Sequence, residues 1–161
     1  AITIFFLVNS LRIYAMTVNQ KSLLDEGKLA MERMCRDIRD AKSITSTSDS
    51  ITVTRTNATP SGQDSADEMI TFRRNPLENT ILEKVKASVG YPMASKVSAF
   101  TVSNTSNEIT LQLTLSLGTG ENVTLRTKVY PKNLGDSATY KNFRVPDSGG
   151  SFTSWKEEIS S

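Results

Sequence analysis

The feature that most constrains this chain is a change of pattern within its first forty-two residues, which read as one long helix. From Ala1 to Val8 (AITIFFLV) every residue except Thr3 is apolar. As far as Val18 the strongly polar interruptions are Asn9, Ser10 and Arg12. From Leu24 onward the apolar positions fall into steps of three and four: Leu24, Gly27, Met31, Met34, Ile38, Ala41. A helix that is apolar on all sides belongs in lipid or a large core, whereas one with a single apolar stripe lies against a globular body. A helix that does both in succession joins an anchor to a head.

The greasy segment reads as the remainder of a membrane or filament-core helix, carried by Ile4, Phe5, Phe6, Leu7, Val8 and Leu11. Crossing a bilayer takes about twenty apolar residues, and the clean run is shorter than that. The competing reading is a buried core helix. It needs a surrounding body large enough to enclose Ile4 to Val8 on every side, and the rest of the chain is modest. The absence of an initiator methionine at Ala1 points to processing or truncation upstream.

The second half of the helix has local support from Glu32 with Arg36 and Arg33 with Asp37, opposite charges four residues apart. Such pairs stabilise an exposed face by about 0.2–0.5 kcal/mol each. They assign that face to water and leave Leu24, Met31, Met34, Ile38 and Ala41 for packing on a sheet. Ser43 and the run from Ser46 to Ser50 end the helix.

Beyond Ser50 the chain reads as strands. Ile51 and Val53 alternate with threonines, and Ile70 and Phe72 alternate with Thr71 and Arg73. Thr80 to Lys86 and Val97 to Val102 are two further strands. The strongest pattern is Ile109, Leu111, Leu113, Leu115 and Leu117, with Thr110, Gln112, Thr114 and Ser116 between them. It predicts a strand with one buried and one wet face. Gly118-Thr119-Gly120 turns it into Val123, Leu125, Thr127 and Val129, an antiparallel hairpin. One sheet with one apolar face needs a cover, and the amphipathic half of the helix supplies it. The expected fold class is α+β, a long N-terminal helix packed on an antiparallel sheet. Residues 1–20 are the hydrophobic helix, 21–134 the head, and 135–161 an irregular tail holding Phe143, Phe152 and Trp155.

Nineteen basic and seventeen acidic residues give a net charge of +2, too balanced to indicate a nucleic-acid or membrane-surface partner. There is no histidine, which removes the commonest general base and most zinc sites. The single cysteine, Cys35, forbids an internal disulfide and reads as a small buried hydrophobe. No phosphate loop or paired-carboxylate signature is present, so no catalytic residue, cofactor, metal site or small-molecule substrate is expected. Two weaker constellations remain. Gln63, Asp64, Asp67 and Glu68, in the turn-rich stretch from Thr59 to Asp67, offer oxygens to calcium but fit no defined calcium loop, and a solvated acidic turn is preferred. Arg73, Arg74, Lys84 and Lys86 form a candidate basic patch for DNA. No aromatic residue is interleaved for stacking, so exposed strand charges are preferred.

The order of parts resembles the minor pilins of type IV pili and the J-type minor pseudopilins of type II secretion systems. The resemblance rests on the apolar helix end running into LLDEGKLAMERMCRDIRDAKSI, then ITVTR, MITFRR and TILEKV. It continues through YPMASKVSAFTV and a hairpin closing on TKVYPKN, and so covers residues 1–134. It implies a pilin-like head on a helix that leaves the bacterial inner membrane and packs with other pilin or pseudopilin subunits in an extracellular or periplasmic filament. The head is then periplasmic before assembly. The family's processing signature, Gly before a cleavage point and then Phe-Thr-Leu-x-Glu, is absent from these residues. On the resemblance it belongs upstream of Ala1, and the family's acidic residue near the mature N-terminus has no counterpart here. Two alternatives stand beside a minor subunit: a major pilin of the shaft, whose C-terminal disulfide this chain cannot form, and a membrane-anchored module binding DNA or sugar.

Overall fold

The computed structural model describes residues 2–58, 64–132 and 134. It is an α+β arrangement, one long helix on antiparallel strands. The helix α1 spans Ile2–Arg39 without a break. The eight strands are β1 (Ser43–Ser46), β2 (Ser50–Ala58), β3 (Asp64–Arg74), β4 (Leu82–Lys86), β5 (Val89–Ala94), β6 (Val97–Thr105), β7 (Glu108–Ser116) and β8 (Asn122–Val129).

The strands form two sheets where the sequence led to an expectation of one. The first has the order β1-β2-β3-β4-β5 and the second β6-β7-β8, with every pairing antiparallel. The break falls between β5 and β6, where Lys96 takes a left-handed φ of 58° and turns the chain out of the first sheet. The two sheets still meet along a seam. The Val97 amide donates to the Thr80 carbonyl at 2.8 Å, and the Val102 amide donates to the Ser48 carbonyl at 2.9 Å.

Two of the hairpin turns are built without glycine. Ala87 and Ser88 both have positive φ (48° and 66°), as do Ser106 and Asn107 (51° and 69°). Two successive left-handed residues make the tight two-residue connection whose twist matches the flanking strands. Neither Lys86-Ala87-Ser88-Val89 nor Thr105-Ser106-Asn107-Glu108 carries the Asn-Gly or Asp-Gly pair that announces such a turn.

Alternation sets the core. Along β7 the residues from Ile109 to Leu115 on odd positions are buried and those between are half-buried, and Ile51, Val53, Ile70 and Phe72 line the first sheet in the same way. Both apolar faces close on α1 through Leu23, Ala30, Met31, Met34, Ile38 and, just past the helix, Ala41. Of the expected packing residues, Met31, Met34, Ile38 and Ala41 are buried. Leu24 is only half-buried, and its place in the core is taken by Leu23, which is 1% exposed. Gly27 marks the closest approach of helix to sheet. A Cβ built there meets the Leu125 and Leu115 methyl carbons at 2.7 and 2.8 Å, so the missing side chain lets the helix sit down on β7 and β8.

Candidate functional site

The helix divides at Asn19. From Ile2 to Val18 every residue is exposed except Asn9, which is half-buried. Phe5 is 70% exposed, Phe6 73% and Leu11 59%. The expected apolar set of Ile4, Phe5, Phe6, Leu7, Val8 and Leu11 is thus exposed, and the competing reading of a buried core helix finds no enclosing body among the described residues. The segment rises about 26 Å at 1.5 Å per residue, close to the roughly 30 Å of hydrocarbon in a bilayer. The helix contains a window long and apolar enough to cross a membrane, and none of that window is buried.

Local chemistry suits the segment to a dry environment. An α-helix satisfies its backbone groups internally, the condition for a span in lipid. The Thr17 hydroxyl donates to the Ile13 carbonyl at 2.9 Å, so this side chain needs no water. Arg12 is the sole charged residue from Ile2 to Gln20.

The head begins at Asn19. Its Nδ2 donates to Glu121 Oε1 at 3.3 Å, tying the helix to the turn between β7 and β8. That turn is shaped by Gly120 at φ +104° and by a hydrogen bond from the Gly120 amide to the Leu117 carbonyl at 3.0 Å. The Thr119 hydroxyl donates to the other oxygen of Glu121. These donors, Thr119 foremost, then the residue's own backbone amide and Asn19, hold the Glu121 carboxyl below the usual carboxylate range despite an opposing contribution from burial. Sequence reading placed the boundary within two residues of this contact but gave no sign of Glu121.

At the far end of the helix Glu32, Arg33 and Arg36 keep the expected wet face exposed, but Asp37 departs from it into a charge network. Asp37 is 2% exposed. Its Oδ1 accepts from Arg55 Nη1 at 2.7 Å and its Oδ2 from Lys84 Nζ at 2.8 Å. Arg55 Nε also reaches Glu68 Oε2 at 3.4 Å, and Lys86 Nζ lies 2.5 Å from Glu68 Oε1. The assignment of Asp37 to a surface pair with Arg33 is therefore corrected: it turns inward and joins the helix to β2 and β4. A carboxylate buried at this depth is stable only when charges and donors surround it. Burial alone would raise the Glu68 pKa, but Lys86 and Arg55 outweigh it and hold the carboxyl below its ordinary value.

The two weaker constellations dissolve into this architecture. Asp64, Asp67 and Glu68 lie on β3 instead of in a loop. Asp67 pairs with Lys42 at 3.1 Å, and Glu68 belongs to the network just described. Gln63 lies outside the described residues. Among the described residues no three metal-binding side chains converge. Of the candidate basic patch, Lys84 and Lys86 are spent on Asp37 and Glu68. Arg73 Nε donates to Glu83 Oε1 at 3.0 Å, and Arg74 Nη1 contacts the Ser98 carbonyl at 3.4 Å. Cys35 is half-buried; burial raises its thiol pKa, against a contact with the Thr127 hydroxyl that lowers it. Phe143, Phe152 and Trp155 lie outside the described residues. The chain matches no protein-family model, no curated protein and no solved structure.

Proposed function

We propose that this chain is a non-enzymatic structural subunit of a filament-building system, pilin-like in its working parts. The observation that carries the reading is the single helix α1, bare and largely apolar from Ile2 to Val18 and with one face buried against two sheets from Leu23 to Ile38. Before assembly the bare rod lies in the bacterial inner membrane with the head outside the bilayer. On assembly it leaves lipid for a bundle of like rods at the axis of a pilus or secretion pseudopilus. Lipid tails are as apolar as the rods, so the hydrophobic gain of that exchange is small. Close packing and the few polar groups then select the neighbours. A chain with one cysteine cannot form the C-terminal disulfide often found in shaft subunits, which favours a minor, priming or capping role.

The test has two arms. The full chain should float with phospholipid vesicles, whereas the head expressed from Gln20 onward should stay in solution as a monomer. A head that floats or aggregates like the full chain would defeat the division into anchor and cover. In cells, cryo-microscopy should find this chain at a filament end or base. Density for it along the whole shaft would make it the major subunit, and absence from filaments together with DNA capture would make it a binding module.

A further inference from the structure

Arg12 is a charge without a counter-charge in the bare rod. No Asp or Glu occurs on α1 before Asp25, about 20 Å of rise further along. Glu121, the head carboxylate at the base of the rod, already accepts from Asn19 and Thr119. Among the described residues Arg12 forms no ion pair. Arginine stays charged at any physiological pH, so on an apolar rod it takes its counter-charge from outside the chain. Tyr14 is 70% exposed and stands about 3 Å of rise above it. At about 100° per residue the two side chains leave the helix about 160° apart. One neighbouring rod, lying along one side, cannot meet both. A layer that surrounds the rod at a single height meets both.

We infer that Arg12 binds the phosphate of phospholipid headgroups, with Tyr14 in the same layer, so that this level of the rod marks the membrane surface. The inference rests on the reading of the rod as membrane-embedded, and moves the surface down from the base of the head at Asn19. Phosphate suits the residues present. A guanidinium offers a planar fork of N–H donors that matches two phosphate oxygens. Its apolar stem lies along the rod while the charged end reaches up to the interface. Tyrosine is enriched at the same level, where its ring is in apolar surroundings and its hydroxyl is wet. The heights agree as well. A headgroup layer is about 5–8 Å thick, and the rod rises about 8 Å from Arg12 to Thr17. Hydrocarbon then surrounds the rod from Leu11 towards Ile2. Asn19, seven residues beyond Arg12, lies about 10 Å above it, so the head stands clear of the phosphates.

Water access along one side of the rod tests the level, and phosphorus contact tests the ligand. The full chain carrying Cys35→Ser is reconstituted in phosphatidylcholine vesicles with one nitroxide, attached at Leu7→Cys, Leu11→Cys, Ala15→Cys or Val18→Cys. Collisions with a water-soluble nickel chelate should be scarce at 7 and 11 and rise severalfold at 15 and 18. Arg12→Leu should let the rod sink by about one turn, roughly 5 Å, and shield position 15, whereas Arg12→Lys should leave it open. In the chain made with guanidinium-labelled arginine, solid-state magnetic resonance should show dephasing by lipid phosphorus that disappears in Arg12→Leu. Position 15 as shielded as position 7, or a profile unmoved by Arg12→Leu, in chains that float with the vesicles would overturn the level and leave the anchor reading intact. A profile that depends on Arg12 without phosphorus dephasing would give the guanidinium to an acidic group of a neighbouring chain and overturn the lipid assignment. A chain that fails to float would overturn both the inference and the anchor.

Discussion

The two halves of α1 share a backbone and differ in what surrounds them. Between Ile2 and Val18, large apolar side chains stand exposed and depend on something outside the chain. Between Leu23 and Ile38, smaller and fewer apolar side chains are fully enclosed. The composition of the front half is the greasier of the two, yet it contributes nothing to the core. What decides burial is periodicity: only the rear half has a stripe that repeats in phase with the sheets beneath it. The difference teaches that building the core and presenting apolar surface outward are separate properties, written in separate stretches of one helix.

Substitutions in the two halves can break that comparison. Met34 is wholly buried, so Met34→Asp places an unpaired charge in the core. It should cost about 4 kcal/mol or more and abolish cooperative unfolding of the head. Leu11→Asp, the matched change in the rod, should leave thermal unfolding of the head unmoved while weakening vesicle flotation; a shared effect on unfolding would join the two halves. Next in size is Gly27→Leu, which forces a side chain against Leu115 and Leu125 and should cost about 3 kcal/mol in a denaturant titration. Asp37→Asn takes from Lys84 its carboxylate and leaves Arg55 only Glu68, both cations being partly exposed, and should cost about 2 kcal/mol. The smallest effect is that of acid. The folded pKa of Glu68 lies below its ordinary 4.5. Its contribution is therefore present above that value and lost as pH falls through the folded pKa. Melting temperature should hold steady from neutral pH to about 5 and then fall, with a shallower fall in Glu68→Gln.

The elements that sequence reading recovered are those with long, unbroken periods. The helix, β2, β4, β6 and the hairpin of β7 and β8 are all legible, whereas of β3 only the end from Ile70 to Arg73 is, its first residues from Asp64 to Asp67 reading as a turn-rich loop. The strand β1 (Ser-Ile-Thr-Ser) holds a single large apolar residue and so has no period. The strand β5 contains Gly90 and Pro92, which ordinarily argue against a strand. It survives because it lies at the edge of its sheet. Division into two sheets depends on the left-handed Lys96, a conformation that lysine does not advertise. At the candidate site the greasy residues were legible, since polarity alone identifies them. Asp37 was not: a helix-surface pair with Arg33 accounts for it locally, and its true partners, Arg55 and Lys84, come from strands distant in sequence. The substitution of Leu23 for Leu24 in the core has a similar origin. Adjacent leucines satisfy the same pattern, and the docking angle of the helix chooses between them.

The continuity of α1 through Asn19 has a mechanical meaning. No proline or glycine interrupts it before Gly27, and Gly27 is clamped by β7 and β8. With no joint between the two halves, the tilt of the rod dictates the tilt of the head. A pull on the head travels along the hydrogen-bonded axis to the far tip without first taking up slack. The chain therefore works as a lever of fixed geometry, and whatever grips one end also steers the other.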